Sequence, residues 1–337
     1  MSWLEQKVLA YEQMRFAQEQ NRRVLPFEWG LEHVGGDPHD RDPRAWLDQF
    51  IAYTLAHSDE WFATTPAGDY ALEENVLTFT SAIESPWLEN NRVHAQVFKA
   101  RRHGPAVVVL AQWNSRWEEQ QNVCRWLQFL GITAVKISLP YHDRRAIPGH
   151  PRADHLVSAN IGLTLQANRQ AVLDVRRTLR WLEQQGYDRL GLLGTSIGSC
   201  LAFLTLAHEP ALRAAAFLHV STYFGDVVAA GLTTTNVWEA LHQDFSLEEV
   251  RHFWSPISPY PYISRLAGTR KKLLAISGRY DPTFPNELTQ EFLAEMKQKG
   301  VPYESLSLPC GHYSMGVAPF SYAVGYRFGT FLFQALA

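Results

Sequence analysis

Apolar positions in this 337-residue chain follow two different periods, and the change between them falls near residue 75. Before it, Leu4, Val8, Tyr11 and Phe16 lie near helical spacing, and Trp46, Leu47, Phe50 and Tyr53 mark a second helix. Gly35-Gly36-Asp37-Pro38 breaks the pattern between them. Each helix shows an apolar face, so 1–75 is expected to be a helical extension packed on a core. Beyond it, 76–79 and 93–98 alternate like a hairpin or meander. Ala106-Val107-Val108-Val109-Leu110 is apolar throughout, as in a strand covered on both faces. Helical patterns at 117–129, 159–183, 200–207, 287–299 and 322–336 then alternate with strand patterns at 132–139, 190–193, 214–220, 272–276 and 303–308. This predicts an α/β domain over 76–337, with a mostly parallel central sheet and helices on both faces. Residues 223–268 are too long for an ordinary connection. They carry Trp238, Phe245, Phe253 and Trp254, and predict a helical cap inserted over the carboxyl edge of the sheet.

Composition narrows the class. With 46% apolar residues the chain can bury a large core, which excludes disorder. A net charge of −3 gives no electrostatic reason to expect nucleic acid. No run of about 18 apolar residues predicts a membrane span, and the opening residues do not read as a secretory signal. Cys124, Cys200 and Cys310 are too few and too scattered for a disulfide framework. A cytoplasmic protein is expected, and its oligomeric state is left open. Eleven Trp among the aromatics could serve core or pocket.

The chemistry begins at Gly194-Thr195-Ser196-Ile197-Gly198, between the strand pattern at 190–193 and the helical one at 200–207. A sharp strand–turn–helix lifts a serine oxygen off the sheet edge, and flanking glycines allow the close packing this requires. The helix start also aims free N–H groups at developing negative charge. Chance supplies roughly 0.1 such match in a chain of this length, so context makes the signal strong. A serine hydroxyl needs a base. Downstream, Asp281 follows the strand pattern at 272–276, and His312 follows the one at 303–308. Asp281 is the preferred acid, with Asp226 as its substitute.

Gly194 to Gly198, Asp281 beyond its strand and Gly311-His312 together resemble the α/β-hydrolase superfamily over roughly residues 75–337. Gln112-Trp113-Asn114 and Leu139-Pro140-Tyr141-His142-Asp143-Arg144-Arg145 are similar to segments of bacterial dienelactone-hydrolase-like proteins and of the eukaryotic abhydrolase-domain-18 group. The resemblance implies a serine hydrolase with Ser196 as nucleophile, His312 as base and Asp281 as its orienting acid. It implies no cofactor. Many members carry His-Gly or a glycine-rich run after the third strand, which this chain lacks. The oxyanion N–H groups are therefore expected from Ile197 with Gln112 or Trp113.

Trp113, His142, Arg144, Trp238 and Trp254 are candidate pocket residues for a small-molecule ester. His142, His150, Asp154 and His155 match no metal-ligand spacing, so no metal is expected. Hydrolysis of a carboxylic ester or related acyl bond is the leading reading. A peptidase or amidase on the same triad, and a non-catalytic binding scaffold, are the alternatives.

Overall fold

A computed structural model describes residues 1–150 and 152–337. Nine strands form one sheet: β1 (Ala71–Glu73), β2 (Val76–Thr80), β3 (Arg92–Phe98), β4 (Ala106–Leu110), β5 (Thr133–Ile137), β6 (Leu190–Thr195), β7 (Leu212–Leu218), β8 (Lys272–Gly278) and β9 (Glu304–Leu308). Their spatial order is β1-β2-β3-β5-β4-β6-β7-β8-β9. The first three pair antiparallel, as do β3 and β5, and every later pairing is parallel. β4 and β5 lie inside the sheet and are buried at all five positions, which is why they read as continuous or nearly continuous apolar runs.

The helices are α1 (Trp3–Gln18), α2 (Pro43–Ala56), α3 (Ser58–Trp61), α4 (Gln121–Phe129), α5 (Ile161–Gln184), α6 (Ile197–His208), α7 (Phe224–Ala230), α8 (Thr235–Leu241), α9 (Leu247–Phe253), α10 (Asn286–Gln298) and α11 (Phe320–Ala335). Two apolar cores form. One holds residues of α2, α5, α6, α10 and the 223–268 segment; the other holds residues of α4 and α11. The connection from β7 to β8 carries α7, α8 and α9, followed by two 3-10 turns.

Three expectations need correction. β1 lies inside the stretch read as helical extension. It has no alternation to betray it, and it exists because β2 turns back onto it through Glu74, which takes a left-handed φ of 54°. The helix expected from Trp117 starts at Gln121, because Gln120 adopts φ 59° and breaks any earlier turn. Finally, α1 has no buried apolar face. Its buried residues are Val8 and Glu12, while Leu4 is exposed.

Candidate active site

β6 ends at Thr195, and Ser196 takes φ 56° and ψ −122° before α6 begins. That strained backbone needs support, and it has it. Ser196 N–H donates to Leu218 O at 2.8 Å, and Ser199 Oγ lies 2.8 Å from both Gly194 O and Leu218 O. The two flanking glycines are required by contact. A Cβ on Gly194 would sit 2.3 Å from Gly198 O, and one on Gly198 would sit 2.3 Å from Leu110 O. Ile197 opens α6, so its N–H has no carbonyl within the helix to bond.

The acid and the histidine follow neighbouring strands on the same carboxyl edge. Asp281 comes after β8, is buried, and uses Oδ1 to accept the N–H groups of Thr283 and Phe284 at 2.8 and 2.7 Å. Its Oδ2 accepts from His312 Nδ1 at 2.9 Å. Burial opposes the carboxylate charge, but His312 and His219 outweigh it and hold Asp281 well below the usual carboxylate range. Burial likewise opposes a charged His312. Asp281 overrides that, with further help from Glu12 and Glu19, and lifts the imidazole above its ordinary value. Asp226, the substitute acid, is instead engaged by the Arg251 guanidinium.

Sequence reading missed His219. It sits one residue beyond β7 with a left-handed φ of 64°, and its N–H donates to Ile276 O. Its Nδ1 lies 2.9 Å from the same Asp281 Oδ2. Nδ1 is buried and has no polar neighbour to satisfy it other than Asp281. The His219 and His312 rings are 4.5 Å apart between centroids. Burial dominates at His219 and lowers its pKa, against the opposite pull of Asp281. Among the described residues, His219, Asp281 and His312 are the one group whose donor atoms converge closely enough to consider a metal. Within this group, Asp281 Oδ2 already accepts the His312 Nδ1–H. His142, His150, Asp154 and His155 form no such group among the described residues.

The loop after β4 carries Gln112 and Trp113. Gln112 turns its side chain to Glu119 and Gln120, leaving only its backbone for an oxyanion. Trp113 Nε1 donates to Ala153 O, and the Arg152 guanidinium lies 4.7 Å over its ring. The neighbouring Asn114 N–H donates to His142 Nε2 at 2.9 Å and is therefore spent.

Three candidate pocket residues are placed otherwise. His142 is buried with both ring nitrogens bonded, Nδ1 to Pro140 O at 2.8 Å, so it braces two loops instead of facing a ligand. Arg144 stacks over Trp117 at 4.3 Å. Trp254 is fully buried and packs edge-on to Phe224. Trp113 and Trp238 are each half-buried. Burial pushes the Cys200 and Cys310 thiols up to about 12, which removes them as nucleophiles.

Comparison with known proteins agrees with this geometry. The prolyl oligopeptidase family model matches residues 163–319, somewhat under half of the chain, a stretch that includes Ser196, Asp281 and His312. No curated protein matches. Acetyl xylan esterase 1 from Thermoanaerobacterium sp. JW/SL YS485 superposes with a TM-score of 0.62 at 16% identity, over 91% of this chain and 97% of that one. A puromycin-hydrolysing peptidase of Mycobacterium tuberculosis gives 0.57 at 16% identity, over 81% of this chain but only 48% of that one. The Pyrococcus horikoshii acylaminoacyl peptidase gives 0.59 at 14% identity, over 77% and 41%. The chain thus spans less than half the length of those two peptidases. The strand order, the turn at Ser196 and these likenesses converge on one architecture, and the chain has the α/β-hydrolase fold.

Proposed function

We propose that the chain is a serine hydrolase acting on a carboxylic ester or related acyl bond. The observation that carries the reading is the His312–Asp281 hydrogen bond on the same sheet edge as the strained Ser196 turn. With Nδ1 committed to Asp281, Nε2 is the His312 nitrogen left for Ser196. His312 then takes the Ser196 proton as Oγ attacks the carbonyl carbon, and returns it to the leaving alcohol. Asp281 fixes the tautomer and stabilises the imidazolium. The oxyanion is held by Ile197 N–H and by the backbone N–H of Gln112 or Trp113; such a donor is typically worth about 3–4 kcal/mol. Water activated by His312 releases the acyl group. A fluorophosphonate probe is expected to label Ser196, and labelling should vanish in Ser196→Ala and His312→Ala. Labelling that persists in Ser196→Ala overturns the assignment.

A second reading, cleavage of peptides or small amides on the same triad, is favoured by the prolyl oligopeptidase match. The two differ in whether His312 protonates an amine as well as an alcohol. A matched ester and amide pair with the same acyl group separates them: comparable kcat/KM values support the peptidase, and an ester-only turnover supports the esterase.

A further inference from the structure

α1 buries only Val8 and Glu12, and a carboxylate is an unusual anchor for a helix. A buried charge is tolerated only where it is hydrogen-bonded. Glu12 is fully buried, and its two oxygens accept the backbone N–H groups of Tyr313 and Ser314 at 2.8 and 2.9 Å. Those are the two residues directly after His312. The loop is shaped for this contact. A Cβ on Gly311 would lie 2.5 Å from Glu12 Cδ, and Gly311 N–H is tied to Ser314 Oγ at 2.8 Å. The helix and the residue that caps it grip Tyr313 twice more, with Arg15 5.4 Å over its ring and Glu19 accepting from its hydroxyl at 3.1 Å.

We infer that α1 belongs to the catalytic apparatus through Glu12, a positioning residue that fixes the His312 loop by bonding the two amides after the base. A helix that merely covered apolar surface would present apolar side chains. This one presents a carboxylate to the backbone of residues 313 and 314, about 300 positions away in the chain. Its negative charge also favours the imidazolium form of His312, with Asp281 and Glu19 acting in the same sense and burial opposing. The inference rests on the proposal that His312 is the catalytic base.

The test compares the full chain with Glu12→Ala, Glu12→Gln and Glu12→Asp, using Gln13→Ala on the exposed side of α1 as control. Turnover of an activated aryl ester is followed across pH, together with cooperative thermal unfolding. Glu12→Ala and Glu12→Gln are expected to lower kcat by about tenfold or more, because small misplacements of a catalytic group are costly. KM should stay within about twofold, since the residue does not touch substrate. The acid limb should move to lower pH once the charge is gone, and Glu12→Asp, which keeps the charge, should hold it nearer its original place. Gln13→Ala should change nothing. Wild-type kcat with an unmoved acid limb in folded Glu12→Ala or Glu12→Gln overturns the inference; where neither folds, wild-type kcat in Glu12→Asp, whose shorter side chain cannot span both amides in the same way, overturns it. His312→Ala is measured separately. Activity surviving there fails the base assignment, without reference to α1.

Discussion

His142 offers a measurement that isolates one buried proton. Its Nδ1 faces Pro140 O, which can only accept, and its Nε2 accepts the Asn114 N–H. The ring is therefore neutral, with the proton on Nδ1. Protonating Nε2 would set two donors against each other inside a buried site. Burial pushes His142 down to about 4 from the ordinary 6.5, the Pro140 bond only partly opposing, with Arg145 and Lys136 adding to the fall. The sign follows directly. The unfolded chain takes up this proton near pH 6.5 and the folded chain only near 4, so stability drains as pH falls through that interval. A difference of about 2.5 pH units corresponds to about 3 kcal/mol.

Replacing His142 with Gln keeps an oxygen acceptor for Asn114 but removes the titration. At pH 7.5 the variant should be less stable by about 1–3 kcal/mol, the usual cost of an imperfectly satisfied buried pair. Down to pH 4.5 the deficit should shrink by about 2.5 kcal/mol, and the two stability curves should converge or cross. Denaturant unfolding at four pH values reads this out, because the remaining histidines titrate alike in both proteins. A wild-type-minus-variant difference that stays constant from pH 7.5 to 4.5 refutes the assignment of a neutral, doubly bonded imidazole.

Gly198→Ala forces a Cβ against the carbonyls of Leu110 and Ala111, 2.3 and 2.7 Å away, where backbone must yield. A loss of about 1–3 kcal/mol in stability is expected from such overpacking, along with at least a roughly hundredfold fall in kcat as Ile197 N–H is displaced. Normal turnover in that variant would contradict the packing described at the elbow. His219→Asn keeps a residue type that accepts positive φ but removes the second imidazole from Asp281 Oδ2. The kcat should fall by about tenfold with KM unchanged, as for a lost positioning contact. Equal losses in both parameters, or none, would show that His219 does not act through Asp281. Because His312 is raised above 6.5 and must be neutral to act, the acid limb of kcat/KM should lie above pH 6.5. A limb at or below pH 6 would count against His312 as the titrating base.

The parallel half of the sheet was legible because its strands are short apolar runs separated by amphipathic helices. Ala106-Val107-Val108-Val109-Leu110 is unambiguous at that level, since a strand with helices on both faces has no polar side to display. The losses fall where tertiary pairing overrules local pattern. β1 is three residues with one half-buried side chain, so nothing but its pairing to β2 makes it a strand. His142 and Trp254 suited a pocket by type and by neighbourhood, and burial removed both. Being near the carboxyl edge in sequence does not say whether a side chain turns toward the cleft or braces the loops that build it.

The candidate site shows the same limit in sharper form. Ser196, Asp281 and His312 could be placed because each follows a strand, and strand ends of a parallel sheet meet at one edge. By that logic His219 was available too. It lies one residue past Leu212–Leu218, on the strand between those of Ser196 and Asp281, and a lone imidazole there was a readable signal. Glu12 was not available. Helical periodicity assigns buried positions to apolar residues, so Leu4, Val8, Tyr11 and Phe16 drew the face of α1, while the fold buries Val8 with Glu12 at i+4. A polar residue that docks a helix leaves no trace in a hydrophobic pattern, because its partners are backbone amides 301 and 302 positions on, whose chemistry is the same in every sequence. What the structure shows is a helix whose expected apolar face is mostly left unburied and which is docked all the same. Such a mismatch between periodicity and burial is itself a pointer to groups held by hydrogen bonds, and here it leads to the loop of His312.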